Sequence, residues 1–281
     1  MTQDQGPACS RDVMAGLVRI PELGQLSALT VGRDGPVLVV VMNRPDVLNA
    51  YDRAMVSELR AVWRFLGQSP DLNAAVLTGA GTRSFSTGLD VDDTLRSGAV
   101  SPSLDQDNRV SLTSKDVGVF TPVVAAVNGY CCAGGWHFVN DADVVLCSPR
   151  ATFFDTHIDV GLTNPEEAVG LLSRLPLTEV LRMVASGRAY RMDAARAHQL
   201  GLVTEVVPDD MLLGRALEIA QVIAAHPPEL VRTSMETVWS AVLEQRASAE
   251  RLGLAMLRAR HGQDQAARRL TSFRSTGRDV P

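Results

Sequence analysis

Positive charge is in short supply in this sequence, as are spaced cysteines and long apolar runs. Lysine and arginine total 27 against 32 aspartates and glutamates, a formal net charge of −5, so no global basic surface points to nucleic acid or an anionic membrane. The four cysteines (Cys9, Cys131, Cys132 and Cys147) show no C-x-x-C or metal-ligand spacing. Adjacent Cys131 and Cys132 are poor partners for each other, and reduced, buried thiols are expected. No apolar run is long enough to cross a membrane. Residues 1–20 lack a signal-peptide pattern, because Arg11 and Asp12 interrupt them, and the cytoplasm is the expected compartment. There is no repeat of constant period and no low-complexity segment. What is present is ordinary globular composition, 46% hydrophobic and 21% charged, in a chain long enough for one large domain with an appendage. One local cluster, Arg268, Arg269 and Arg274, stands out against the acidic whole.

Residues 1–27 are weakly patterned and read as a loose extension. "LTVGRDGPVLVVVMNRP" reads as a hairpin, two β-branched runs around turn residues. A helix is expected from about Asp52, with Met55, Leu59, Val62, Trp63 and Leu66 on one face and a stop near Gly67. Apolar strands follow at 74–80, 123–127, 142–148 and 151–154. Strands that are almost wholly apolar, alternating with short helices, imply α/β layers buried on both faces. After Val207 the pattern turns helical: 209–225, Pro227-Pro228 to about 246, 247–260 and 264–274. The expected layout is an extension (1–27), an α/β core (28–207) and a helical region (208–281).

"AVNGYCCAGGWHF" (126–138) carries an apolar strand into Gly134-Gly135 and then a helical pattern. Free N–H groups at a helix start carry partial positive charge, and glycine lets a ligand approach them. A tight turn with close helix packing would use the same residues. A second loop, "GAGTRSFSTGLD" (79–90), also follows an apolar strand and offers Gly88 beside the Leu89 N–H. Two such donors converging on one point would form an oxyanion hole, in which a single donor is worth roughly 10²–10³ in rate.

"LTGAGTRSFSTGLD", about forty residues before "AAVNGYCCAGGWHFVNDADVVLCSPRATFF", resembles the crotonase superfamily, the enoyl-CoA hydratase/isomerase family. "NRPDVLNA" (43–50) and "SGRAYRMDAARAHQLGLVTEVVP" (186–208) fit the same pattern, so the resemblance runs from about residue 28 to the end. It implies an α/β fold, a crotonase-like spiral of ββα repeats with a C-terminal helical oligomerisation region that forms trimers or dimers of trimers. It implies a lyase or isomerase acting on an acyl-CoA thioester, with no cofactor beyond the coenzyme A of the substrate, no metal, and no nucleic-acid or membrane partner. The thioester oxygen would be held by the N–H groups of Leu89 and Gly134. Val47, Gly88, Leu89, Asp90, Val91 and Gly134 would contact the substrate. Where the family often has a lysine near the CoA phosphates, this chain has Asp92; Arg44 or the terminal arginines are the candidate replacements.

The resemblance also marks a departure. Hydratases of this family hold the added water with two glutamates. Here the first position is His137, three residues after Gly134, and the second, in "FFDTHIDVG" (153–161), is His157. Imidazole titrates near neutral pH and can divide acid and base work. Glu166 and Glu167 follow in "GLTNPEEAVG": they either cap a helix begun by Asn164-Pro165 or orient His157 as a carboxylate does in a triad. Asp159 is a further carboxylate near His157, Trp136 reads as a core or pocket wall, and the 97–118 segment reads as a lid. Three functions stay open: an enoyl-CoA hydratase/isomerase-family enzyme with acid/base work by His157; a β-diketone hydrolase of the same fold, which carries an acid nine residues after its histidine; and a catalytically inactive binding protein.

Overall fold

The computed structural model of the protein describes residues 15–97, 111–164 and 166–275. The hairpin forms as expected: β1 (Val18–Arg19), β2 (Leu29–Asp34) and β3 (Val37–Met42) run antiparallel in turn. Part of the stretch expected as a loose extension is therefore strand. Val18–Arg19 covers the edge of β2, whose backbone groups would otherwise go unpaired, and Ile20 joins the core. Helix α1 (Arg53–Gln68) buries the five residues named from periodicity, and Asp52 caps it by accepting from the Met55 N–H.

From there the chain alternates between two sheets. β4 (Ala74–Gly79) enters the large sheet and β5 (Ser84–Ser86) the small one, before α2 (Val91–Ser97). β6 (Val123–Val127) and β7 (Tyr130–Cys132) repeat this before α3 (Trp136–Asn140). β8 (Val144–Cys147) and β9 (Thr152–Phe154) repeat it again before α4 (Glu167–Leu171). Next come α5 (Leu177–Ser186), β10 (Met192–Asp193), α6 (Ala194–Gln199) and β11 (Glu205–Val206). The large sheet has the order β1-β2-β3-β4-β6-β8-β11, parallel from β3 onward, and the small sheet β10-β9-β7-β5.

β3 shows why the strands are continuously apolar. Leu38, Val40 and Met42 face one core, shared with α1 and the small sheet, while Val37, Val39 and Val41 face a second core under α7 (Leu212–Ala224). With side chains alternating across a pleat, a strand covered on both faces has no position left for a polar residue. Three of the four cysteines, Cys131, Cys132 and Cys147, are free and buried; Cys9 lies outside the described residues.

The helical region differs from expectation in one respect. Instead of helices ending near 246 and 260, α8 runs unbroken from Pro228 to Ser275. Between them lie only Gly253 and Gly262, each costing about 1 kcal/mol against alanine, and no proline; that weakens a helix without ending it. The helix lies over α2, α4 and the 3-10 turn Ile158–Val160 of its own chain. Trp239 Nε1 donates to Asp143 Oδ1 at 2.6 Å, and Arg246 pairs with Asp141 and Glu250. No helix among the described residues is long and apolar enough to cross a membrane.

Candidate active site

Three neighbouring parallel strands of the small sheet end together. Ser86 of β5 lies opposite Cys131 of β7, and Cys132 opposite Phe154 of β9. Strands pair about 5 Å apart, so the loops leaving these ends must meet. In open α/β sheets the carboxyl ends of parallel strands are where ligands bind. The loops carry, in order, Gly88-Leu89, Gly134 with His137, and Asp155 with His157.

The first loop is shaped by Tyr51. Its N–H donates to Gly88 O at 2.7 Å and its carbonyl accepts from Asp90 N at 2.9 Å, a parallel bridge centred on Leu89. In such a bridge the flanking residues make the hydrogen bonds, so the Leu89 N–H points to the opposite side. Gly88 has φ +89°, and a Cβ there would lie 2.4 Å from Gly134 N. The two backbones therefore touch. Gly134 sits in a 3-10 turn, Ala133–Gly135, which leads into α3, where first-turn N–H groups lack intrahelical partners. Its lack of a side chain has a packing cause as well: a Cβ on Gly134 would fall 2.3 Å from Tyr51 Oη, and one on Gly135 2.4 Å from Ser86 O.

Among the described residues, the non-glycine positions with positive φ are Leu48, Asn49 and Ala133. Ala133 lies on the second loop, and Leu48 and Asn49 lie just before Tyr51, which braces the first; such conformations cluster at functional sites. Buried Asn49 holds its strained conformation by donating to Ala80 O and Ser84 O and accepting from Arg44 N.

The second half of the site is built from side chains. His137 Nε2 lies 3.3 Å from Glu167 Oε1, and His157 Nε2 lies 3.6 Å from the same oxygen. The other face of His157 is held too: its Nδ1 is 2.7 Å from Asp155 Oδ1, which also accepts from Asn164 Nδ2 at 3.1 Å. The partner of Nδ1 is a carboxylate, so Nδ1 carries the proton and Nε2 is the nitrogen that changes state. Trp136 Nε1 donates to Phe154 O at 2.9 Å, tying α3 to the end of β9. Asn140 Nδ2 donates to Glu167 O at 3.0 Å, and a side chain on Gly170 would collide with that amide, so α3 and α4 cross closely. These contacts bring Glu167 to the imidazoles.

Burial alone would favour neutral imidazoles. The Glu167 carboxylate outweighs it at His137 and, with Asp155, at His157, raising each to about 9. Burial would raise Glu167, yet the two imidazoles hold it down at about 2. Two imidazolium ions on one carboxylate repel each other, so the histidines release their protons as a pair, in separate steps.

The expectations divide accordingly. His137, His157 and Glu167 meet. Glu166 is half-buried, while the acid on His157 is Glu167, ten residues on rather than nine. Glu167 turns its carboxylate to the histidines instead of closing a capping box; the N-cap position is Glu166, whose side chain makes no capping bond, and Asn164 Oδ1 accepts from Ala168 N at 2.9 Å. Asp159 does not join them: its carboxylate accepts from Arg188 N at 2.8 Å. Gly88, Leu89 and Gly134 come together, and Val91 opens α2 beside them. Val47 is exposed on the turn Pro45–Val47. The Asp90 carboxylate is committed to Arg44, at 2.9 Å, and to the Asp93 N–H. Its pKa is lowered, because these bonds outweigh burial.

Arg44 is committed in the same way, pairing with Asp52 and Asp90 and donating to Ala50 O, which removes it as a free cation for phosphate. The single lysine of the chain, Lys115, is buried against Asp143 at 3.0 Å. Most of the expected lid (98–110) and the side chains of Arg268, Arg269 and Arg274 lie outside the described residues. Sequence reasoning missed Asp155 and Tyr51. Asp155 stands two residues before His157, and that spacing was the available signal. Tyr51 left none.

Residues 32–278 match the family model described as Enoyl-CoA hydratase/isomerase. The mevalonyl-coenzyme A hydratase sidH of Aspergillus fumigatus is 30% identical over 203 residues, covering 71% of this chain and 73% of that protein. A carnitinyl-CoA dehydratase of Shigella flexneri is 32% identical over 217 residues, covering 74% and 82%. The crystal structure of an enoyl-CoA hydratase/isomerase from Mycobacterium paratuberculosis superposes with a TM-score of 0.70 at 32% identity, covering 90% of each chain.

Proposed function

The chain belongs to the enoyl-CoA hydratase/isomerase family, and on that premise we propose that it adds water to a 2-enoyl-CoA thioester, or removes it from the 3-hydroxyacyl product, with histidines as acid and base. The observation that carries the reading is the convergence of His137 Nε2 and His157 Nε2 on one Glu167 oxygen. Those are the two positions where the family's hydratases are expected to have glutamates. A hydratase and a dehydratase among the similar proteins support water as the group transferred.

The chemistry then follows from the chain's own groups. The thioester oxygen accepts from the N–H groups of Leu89 and Gly134, which stabilise the enolate charge as it builds. Neutral His157, its Nδ1–H fixed by Asp155, takes a proton from water through Nε2 as the hydroxyl bonds to C3. His137, held protonated by Glu167, returns a proton to C2. One imidazole must be neutral and the other charged; with each raised to about 9, that state is reached as pH rises and the first of the coupled pair loses its proton. The helical region from 208 onward is assigned the contacts of a trimer or dimer of trimers; Leu230, Val238 and Leu252 are exposed apolar residues on it.

The test is loss of the conjugated thioester absorbance on mixing with a short 2-enoyl-CoA. Saturable loss that yields 3-hydroxyacyl-CoA is expected. Binding without turnover would contradict hydration and leave the non-catalytic reading. A second reading, β-diketone hydrolysis by a His–Glu pair, draws on the same His157–Glu167 contact; it would be favoured by cleavage of a β-diketone with no CoA present.

A further inference from the structure

Tyr51 is a buried phenol, 5% exposed, that stands between the two halves of the site and belongs to neither in the scheme above. Its position is fixed from both ends. The backbone is bonded to Gly88 and Asp90, on either side of Leu89. The ring packs edge-on against Phe138, with centroids 6.4 Å apart, and lies against Gly134 so closely that a Cβ there would be 2.3 Å from Oη. The hydroxyl is thus anchored next to one backbone donor by its ring and next to the other by its own main chain. Among the described residues Tyr51 Oη makes no hydrogen bond, whereas buried tyrosine hydroxyls usually find one.

We propose that Tyr51 is a catalytic residue, whose Oη–H gives the thioester oxygen a third hydrogen bond beside those of Leu89 and Gly134. This rests on the acyl-CoA reading above and deepens it. The surroundings give such a donor a purpose. Burial, and after it the negative charge of Glu167, Glu166 and Asp116 near the phenol, raise its pKa well above the ordinary range. The phenol therefore stays protonated and remains a donor at every working pH. The same carboxylates repel the negative charge that grows on the thioester oxygen, and a hydroxyl beside that oxygen offsets the repulsion. Its bond strengthens as charge develops, so it favours the transition state over the bound substrate.

Tyr51→Phe removes Oη and keeps the ring that packs on Gly134 and Phe138. The expected result is a fall in kcat of about 10²-fold, the scale of one oxyanion donor, with KM and the unfolding midpoint nearly unchanged. A readout free of turnover is the absorption band of a bound 2,4-dienoyl-CoA, which moves to longer wavelength as the carbonyl is polarised. The wild type should show that movement, and Tyr51→Phe should show less of it at equal occupancy. An unchanged kcat, or a band shift that the variant retains in full, overturns the role of Tyr51 and leaves the parent reading standing. A wild type that binds no CoA thioester overturns the parent reading and this inference together.

Discussion

The two halves of the candidate site are made of different material. The Leu89–Gly134 half is backbone: it depends on glycines, positive φ and loops pressed together, and it contains no titratable group of its own. The half around His137, His157, Glu167 and Asp155 is side chains, and its state is set by how many protons the two imidazoles and Glu167 share. A backbone half is sensitive to volume and indifferent to pH, while a side-chain half tolerates small changes of shape and responds to every charge. The difference teaches where each kind of substitution should act, and four measurements press on it.

Gly88→Ala should have the largest effect. Its Cβ would enter the space of Gly134 N, 2.4 Å away, at φ +89°. Displacing both donors predicts a loss of kcat of roughly 10³-fold or more, with strain of about 1–3 kcal/mol read by denaturant unfolding. Gly118→Ala is the control: its φ is +72° but nothing lies within 4 Å, so stability should fall by about 1 kcal/mol with activity intact. Equal activity losses in the two variants would contradict the comparison.

Glu167→Gln comes next, acting on charge with little change in volume. Activity should fall by roughly 10²-fold, the lower end for acid/base groups. Each histidine, raised to about 9 in the fold from about 6.5 in an open chain, contributes stability that is complete below pH 6.5 and lost as pH rises through 9. Glu167, lowered to about 2, contributes stability present above its ordinary carboxylate range and lost as pH falls through 2. Wild-type stability should therefore drop between pH 6.5 and 9, and Glu167→Gln should make that drop smaller, leaving the part that Asp155 supports at His157. Parallel stability curves would refute the shared carboxylate.

Asp155→Asn is expected to be milder. Asp155 touches His157 only through Nδ1, and partners that orient a ligating histidine are worth roughly 10- to 100-fold. Imidazole NMR should show a lowered His157 pKa and an altered tautomer; an unaltered titration would deny Asp155 its positioning role.

The fold was largely legible in the sequence, because burial on both faces of β3, β4 and β6 leaves a continuous apolar signature and α1 shows a single apolar stripe. The single helix α8 was not, since local pattern does not register the support that Arg246 and Trp239 take from Asp141 and Asp143 in the core. In the site, Gly88, Gly134, His137 and His157 were found from motif positions. The choice between Glu166 and Glu167 was not, because it depends on the crossing of α3 and α4 through Asn140 and Gly170. Tyr51 was invisible for a similar reason: only the folded chain brings its ring against Gly134.

The most direct test is the pH dependence of kcat/KM for 2-enoyl-CoA hydration from pH 5 to 10, in the wild type and in His157→Ala. The account predicts a bell, with an acid limb where the second imidazole of the pair gains its proton and an alkaline limb near 9 where the last one is lost. It also predicts that His157→Ala abolishes the acid limb along with most of the rate. A flat wild-type profile, or a variant that keeps both rate and bell, would contradict it.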